Sequence, residues 1–164
     1  MLDISDQNRS PFEKKVRVRV CGVLEKDNEI LLLKHLRIGP GGYLWSPPGG
    51  GVEFGQSLVE TLKREFLEET HLRIEVEEHL FTNEHLDDVH HAIEFFFRVR
   101  LLSGDLKLGE DPELASDRQM LADAQFFSSQ ALKNLPLDTV HAAFHPLNPR
   151  YWQKDRGGLI TFED

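Results

Sequence analysis

Residues 49–72 read GGGVEFGQSLVETLKREFLEETHL, a glycine run and a short polar link followed by a stretch with helical spacing. Ser57 is a favourable N-cap and Glu60 stands three residues after it. That pair makes a capping box, so the helix is expected to start at Leu58. At about 100° per residue, Leu58, Leu62 and Phe66, with Val59, form one apolar stripe. Glu65, Glu68 and Glu69 fall at i, i+3 and i+4, neighbours on one face beside that stripe. Three like charges so close weaken a helix unless a cation compensates them. A hard divalent ion such as Mg²⁺ takes oxygen ligands of this kind, and Arg64 can hold a carboxylate through a two-pronged contact. The competing reading is a solvated acidic face, the ordinary fate of a Glu-rich helix.

What precedes the helix favours the first reading. Pro47, Pro48, Gly49, Gly50 and Gly51 form a turn in which backbone can approach a ligand closely and present its carbonyls or amides. Taken in order, the pattern resembles the signature of the Nudix hydrolases: a glycine, five residues, an acid, seven residues, then Arg-Glu-hydrophobic-x-Glu-Glu-x-Gly-hydrophobic. Gly50 takes the first place, and Arg64, Glu65, Phe66, Glu68, Glu69 and Leu72 fill the later ones. Two places depart: Gln56 stands where the family has Glu, and His71 where it has Gly.

The resemblance implies an α/β/α sandwich around a mixed sheet, with the motif as loop, helix and loop. It implies Mg²⁺- or Mn²⁺-dependent hydrolysis of a nucleoside diphosphate linked to another group. On that footing the Gly50 carbonyl, Glu65, Glu68 and Glu69 hold the metal, Glu68 and Glu69 being direct ligands and Glu65 a ligand or general base. Arg64 orients a carboxylate, which makes Glu65, Glu68 and Arg64 the catalytic candidates. Nudix proteins often draw a further carboxylate from a loop near the acidic stretch 106–116. Glu113 is the candidate there, as metal ligand, base or substrate contact, with Glu110 and Asp117 behind it; a plain surface loop is the alternative. Gln56 keeps a side-chain oxygen and loses a charge. The alternative function is therefore a catalytically weakened nucleotide-binding or sensing module of the same fold. An isoprenoid diphosphate isomerase lacks support, because the lone Cys21 is far from a plausible site. His71 falls where φ is positive, at a cost of about 1 kcal/mol.

Composition bounds the rest. The chain of 164 residues suits one domain, and 40% hydrophobic with 29% charged residues is ordinary for a globular protein. A net charge of −9 argues against general nucleic-acid affinity, which wants a basic face. It does not exclude a small nucleoside diphosphate derivative, since a bound metal reverses the local sign. No apolar run approaches the roughly 20 residues that span a bilayer. Met1 to Ser10 lacks the apolar core of a signal peptide, so a cytoplasmic protein is expected. With one cysteine there is no internal disulfide, and Cys21 is read as a packed core residue.

Residues 1–14 are read as a flexible leader, 15–146 as the domain, and 147–164 as a tail. Tyr151, Trp152, Leu159, Ile160 and Phe162 make that tail apolar, so it packs on the domain or joins a second copy in a homodimer. Val16 to Glu25 alternates, with Val16, Val18 and Val20 set against Arg17, Arg19 and Cys21, and predicts a strand. Asp27-Asn28 is a turn before a second strand, Glu29 to His35, and Trp45 is read as a core anchor, the alternative being that Tyr43 or Trp45 borders the pocket. Leu72 to Leu80 alternates as a half-exposed strand, Thr82 to His91 reads as a polar loop, and Ala92 to Leu102 as the strongest strand. His85, His90 and His91 lie beside Asp87 and Asp88 but lack zinc-site spacing, so a solvated or substrate-facing loop is expected. Gln119 to Phe127 is a last strand, Ser128 caps a short helix, and a helical turn over Asp138 to Phe144 stops at Pro146.

Overall fold

The computed structural model describes residues 15–88, 90–110 and 119–145, and the backbone of 159–161. β1 (Val16–Lys26) and β2 (Glu29–Leu36) form a hairpin. Its turn residues Asp27 and Asn28 lie at φ 53° and 63°, the geometry whose twist suits a two-residue connection. β3 (Tyr43–Ser46) pairs antiparallel with β2, and β4 (Gly49–Gly51) with β1. Then come α1 (Leu58–Thr70), β5 (Arg73–Leu86), β6 (His91–Ser103), β7 (Leu121–Ser128) and α2 (Ser129–Lys133). Two 3₁₀ turns, Leu137–Thr139 and Ala142–Phe144, precede β8 (Leu159–Thr161).

The strands make one mixed sheet in the order β3-β2-β1-β6-β5-β8, with β4 beside β1 and β7 beside β2. β1 runs parallel to β6 from Val16↔His91 to Leu24↔Val99, and β6 antiparallel to β5. α1 covers one face: Leu62 and Phe66 pack with Val20, Leu24, Leu31, Ile74 and Val99. On the other face Leu132 of α2, with Val140, Ala143 and Phe144, covers Cys21, Val23, Trp45, Phe81 and Phe96. This is the α/β/α sandwich that the motif implied. Trp45 is buried edge-on to Phe127, ring centroids 4.8 Å apart. Burial pushes the Cys21 thiol up to about 12, against the pull of Arg19, so Cys21 is an inert core residue.

Several expectations change. Val59 is 41% exposed and leaves the apolar stripe, because one residue on from Leu58 turns it about 100° away; Thr61 and Glu69 share the buried face instead. In β1, Val16 and Val18 are exposed while Arg17 and Arg19 are half-buried, the reverse of the expected polarity at that end. The reason is Glu94, which the parallel register sets opposite Arg19. The glycine run is a strand, not a turn. Thr82 to Leu86 also belongs to a strand, because its polar side chains find partners across the ladder. Asn83 Nδ2 donates to Glu94 Oε2 at 2.8 Å, and His91 Nε2 meets Glu84 Oε1 at 2.9 Å. The loop shrinks to a turn in which Asp87 Oδ1 accepts from His90 N at 2.7 Å.

β8 adds to β5 in parallel, Thr82↔Leu159 to Glu84↔Thr161. Residues 1–14, Glu113, Asp117 and the rest of the tail lie outside the described residues. Among the described residues no helix is long and apolar enough to cross a membrane.

Candidate active site

The capping box sets the phase of α1. Ser57 Oγ accepts from Glu60 N at 3.2 Å, and Glu60 Oε2 accepts from Ser57 N at 2.9 Å. At the far end His71 caps the helix at φ 59°, its N–H donating to Leu67 O at 3.1 Å. The helix thereby lies against β4 with its glutamates at the glycines. Glu69, only 9% exposed, accepts from Gly49 N at 2.9 Å and ties helix to strand. Glu65 lies against Gly50, where a Cβ would run into its carboxylate.

Arg64 stands among the acids. Its Nη2 is 3.0 Å from Glu65 Oε1 and 3.9 Å from Glu53 Oε1, and its Nη1 is 2.9 Å from Glu68 Oε2. One guanidinium among Glu53, Glu65, Glu68 and Glu69 leaves a surplus of negative charge. Burial raises the Glu65 carboxyl above the ordinary range; Arg64 draws it down and the neighbouring Glu68 charge pushes it up. Gln56 stands aside, accepting from Thr61 Oγ1 at 3.2 Å and donating to Glu53 Oε2 at 3.4 Å. Glu in its place would meet Glu53 with like charge.

A divalent cation fits this donor set: the carboxylate oxygens of Glu65, Glu68 and Glu69, with negative charge in excess of what Arg64 balances. Among the described residues no three His, Cys, Asp or Glu are gathered as a ready-made ion cage. Arg64 engages one carboxylate oxygen of Glu65 and one of Glu68, Oε1 and Oε2 respectively. The chain after β6 rides on the end of α1, with Gly109 N donating to Glu69 O at 2.8 Å. Glu110 follows, exposed; Glu113 and Asp117 are not among the described residues.

Arg17, Arg19 and Glu94 were not singled out as site residues from sequence. On the sheet face opposite α1, Arg19 Nε lies 3.4 Å from Glu94 Oε1. Glu94 Oε2 meets Asn83 Nδ2 at 2.8 Å and His141 Nε2 at 2.9 Å. His141 Nδ1 accepts from Ala143 N at 3.2 Å, which assigns the ring proton to Nε2. Burial pushes the Glu94 carboxyl up, but His141, Arg19 and the Asn83 amide outweigh it and bring it down to about 2. Arg17 reaches over Gly51, its Nη2 3.1 Å from where a Cβ would stand. Burial and then the Arg19 charge lower Arg17 to about 10. An alternating strand was legible, but which face its arginines occupy depends on pairing with β6, far along the chain.

Known proteins resemble this chain in sequence and in fold. A family model described as the NUDIX domain matches residues 13–147. A curated relative, the ADP-ribose pyrophosphatase of Methanocaldococcus jannaschii, is 34% identical over 123 residues, covering 74% of this chain and 67% of its own. A NUDIX hydrolase from Nitrosomonas europaea has a similar structure, with TM-score 0.62 and 25% identity over 89% of this chain and 79% of that one. A UDP-X diphosphatase has TM-score 0.65 at 25% identity, over 97% and 71%. The chain belongs to the Nudix hydrolase family. Proteins named as a pyrophosphatase and a diphosphatase are among those it is similar to.

Proposed function

We propose that this protein hydrolyses the diphosphate linkage of a nucleoside diphosphate joined to a second group, with Mg²⁺ or Mn²⁺ held by Glu65, Glu68, Glu69 and the Gly50 carbonyl. The observation that carries this reading is the contact of α1 with β4, where Glu69 is bonded to Gly49 and Glu65 lies on Gly50. When bound, the cation neutralises the phosphoryl oxygens and acidifies the attacking water. Glu69 is fixed in place by the Gly49 amide. Glu68 supplies a second ligand oxygen, and Glu65 either completes the set or takes the proton of the water on a carboxylate oxygen. Arg64, bridging Glu65 and Glu68, positions both. A bond forms from the water oxygen to one phosphorus as the bond from that phosphorus to the bridging oxygen breaks. The products are a nucleoside monophosphate and the phosphate ester of the second group. Glu113, outside the described residues, is the proposed further substrate contact.

The Methanocaldococcus relative is an ADP-ribose pyrophosphatase, which makes ADP-ribose the first substrate to try. Gln56 is what favours the sensing module. Against it, the Gln56 amide donates to Glu53 and leaves Glu65, Glu68 and Glu69 intact. The test is release of nucleoside monophosphate from a panel of dinucleotides and nucleotide sugars with Mg²⁺ or Mn²⁺. Turnover that disappears in Glu68→Gln is the expected result. Nucleotide binding without turnover on any substrate would establish the sensor instead.

A further inference from the structure

The last turn of α1 is one that its own sequence does not favour. It carries Glu68 and Glu69 and no basic side chain. The carbonyls left over at a helix C-terminus give that end a negative partial charge, so acids there are unfavourable. The two carboxylates proposed as direct metal ligands therefore stand on the part of the helix most inclined to fray. Donors from elsewhere in the chain hold this turn.

The segment after β6 supplies them. Lys107 N donates to Thr70 O at 3.1 Å, and Gly109 N to Glu69 O at 2.8 Å. Leu106, half-buried, anchors the segment on the apolar cluster that includes Phe66 and Leu72. Gly109 is buried and lies flush on the helix, where a Cβ would overlap the Glu68 carbonyl. That carbonyl is backbone, so no side-chain rotation makes room. Glu69 is thereby held at both ends: its carboxylate accepts from Gly49 N of β4 at 2.9 Å, and its carbonyl accepts from Gly109 N.

We propose that Gly109 is a positioning residue for the metal site: its backbone, strapped across the last turn of α1, sets the direction in which Glu68 and Glu69 present their carboxylates. The proposal rests on the hydrolase reading above. A side chain at position 109 would lift the strap and free Glu69 O, and the turn would loosen. Successive helical residues stand about 100° apart around the axis, so a small unwinding swings Glu68 away from Glu65 and Glu69. Binding couplings are reciprocal, so a strap that favours the metal is itself favoured by it.

The experiment is calorimetric binding of Mn²⁺, with melting temperature, on wild type, Gly109→Ala and Val140→Ala. Val140 is buried in the core on the far side of the sheet from α1, so its truncation loosens the fold without touching the helix end. Gly109→Ala should bind Mn²⁺ at least about tenfold more weakly, the scale on which support behind metal ligands acts. Val140→Ala should melt lower yet keep Mn²⁺ affinity within about threefold of wild type, since distant sites act independently. Affinity at the wild-type level in Gly109→Ala would overturn the proposal and leave the hydrolase reading standing. An equal loss in both variants would also overturn it, because stability alone would then set the affinity. Hydrogen exchange of the wild type decides the matter even if Gly109→Ala fails to fold. Mg²⁺ should slow exchange of the Lys107 and Gly109 amides at least about threefold more than that of the β7 amides; equal slowing, or none, would overturn the proposal. A wild-type protein that neither binds Mn²⁺ nor hydrolyses any member of the panel would remove the hydrolase reading itself.

Discussion

A methyl group at position 50 would run into the carboxylate of Glu65 and displace it, so the first glycine of the motif leaves that carboxylate its place against the strand. Gln56 is the informative departure at this scale. Its contacts go to Glu53 and Thr61, and Gln56→Glu would restore an acid beside Glu53. If position 56 tunes the ion field from outside the ligand set, Gln56→Glu should lower the Mg²⁺ concentration for half-maximal activity by roughly tenfold. An unchanged metal requirement would take Gln56 out of the metal's surroundings. His71 is a simpler case. It holds φ 59° with a side chain that prefers otherwise, so His71→Gly should stabilise the fold by up to about 1 kcal/mol. That is a rise of roughly 3 °C in melting temperature for a chain of this size; a fall would mean that the imidazole makes a compensating contact. Both positions were legible, because a fixed-spacing motif marks its own exceptions. Arg17 carried no such mark, since Arg-x-Arg in a strand reads as its solvent side.

At the scale of elements, α1 was read correctly from its capping box, because both partners of that box are local in sequence. β5 was cut short for the opposite reason. Thr82, Asn83, Glu84 and His85 look like loop until β6 supplies partners, Glu94 for Asn83 and His91 for Glu84. Glu94 joins β6, β5, β1 and the last 3₁₀ turn, and its ionisation makes that junction pH-dependent. Its folded value of about 2 lies below the ordinary value near 4.3 for an unfolded chain. The unfolded chain therefore binds the proton more readily. The stability this carboxylate contributes is complete above about pH 5 and is lost as pH falls toward 2. The shift corresponds to roughly 3 kcal/mol. Urea titrations between pH 6 and 2.5 should show a drop in unfolding free energy that Glu94→Gln largely removes. Parallel curves for the two proteins would contradict the assignment. At neutral pH the same variant should be less stable by about 1–3 kcal/mol, because Asn83, His141 and Arg19 lose a charged acceptor.

Across the whole molecule, the sheet carries two unlike surfaces that come together at β4. One is the α1 face, whose helix brings the carboxylates; the other bears Arg17, Arg19 and Glu94. The sandwich could be anticipated from the motif, and the acidic half of the site with it. The side of the sheet that Arg17 and Arg19 take could not, because it depends on the parallel pairing of β1 with β6, a contact between distant segments that no local pattern announces. The net charge of −9 hides this division between an acidic helix face and a sheet face that bears two arginines. The central claim is that the carboxylates of α1, two of which lie against a strand of glycines, hold a divalent ion that engages a diphosphate. Its most direct test is a crystal grown with Mn²⁺ and the α,β-methylene analogue of ADP-ribose, examined for the anomalous signal of manganese. The account predicts that signal at coordination distance, roughly 2–2.5 Å, from carboxylate oxygens of Glu65, Glu68 and Glu69, with the analogue's phosphates against it. Manganese bound elsewhere, or the analogue bound with those three carboxylates turned away from the metal, would contradict it.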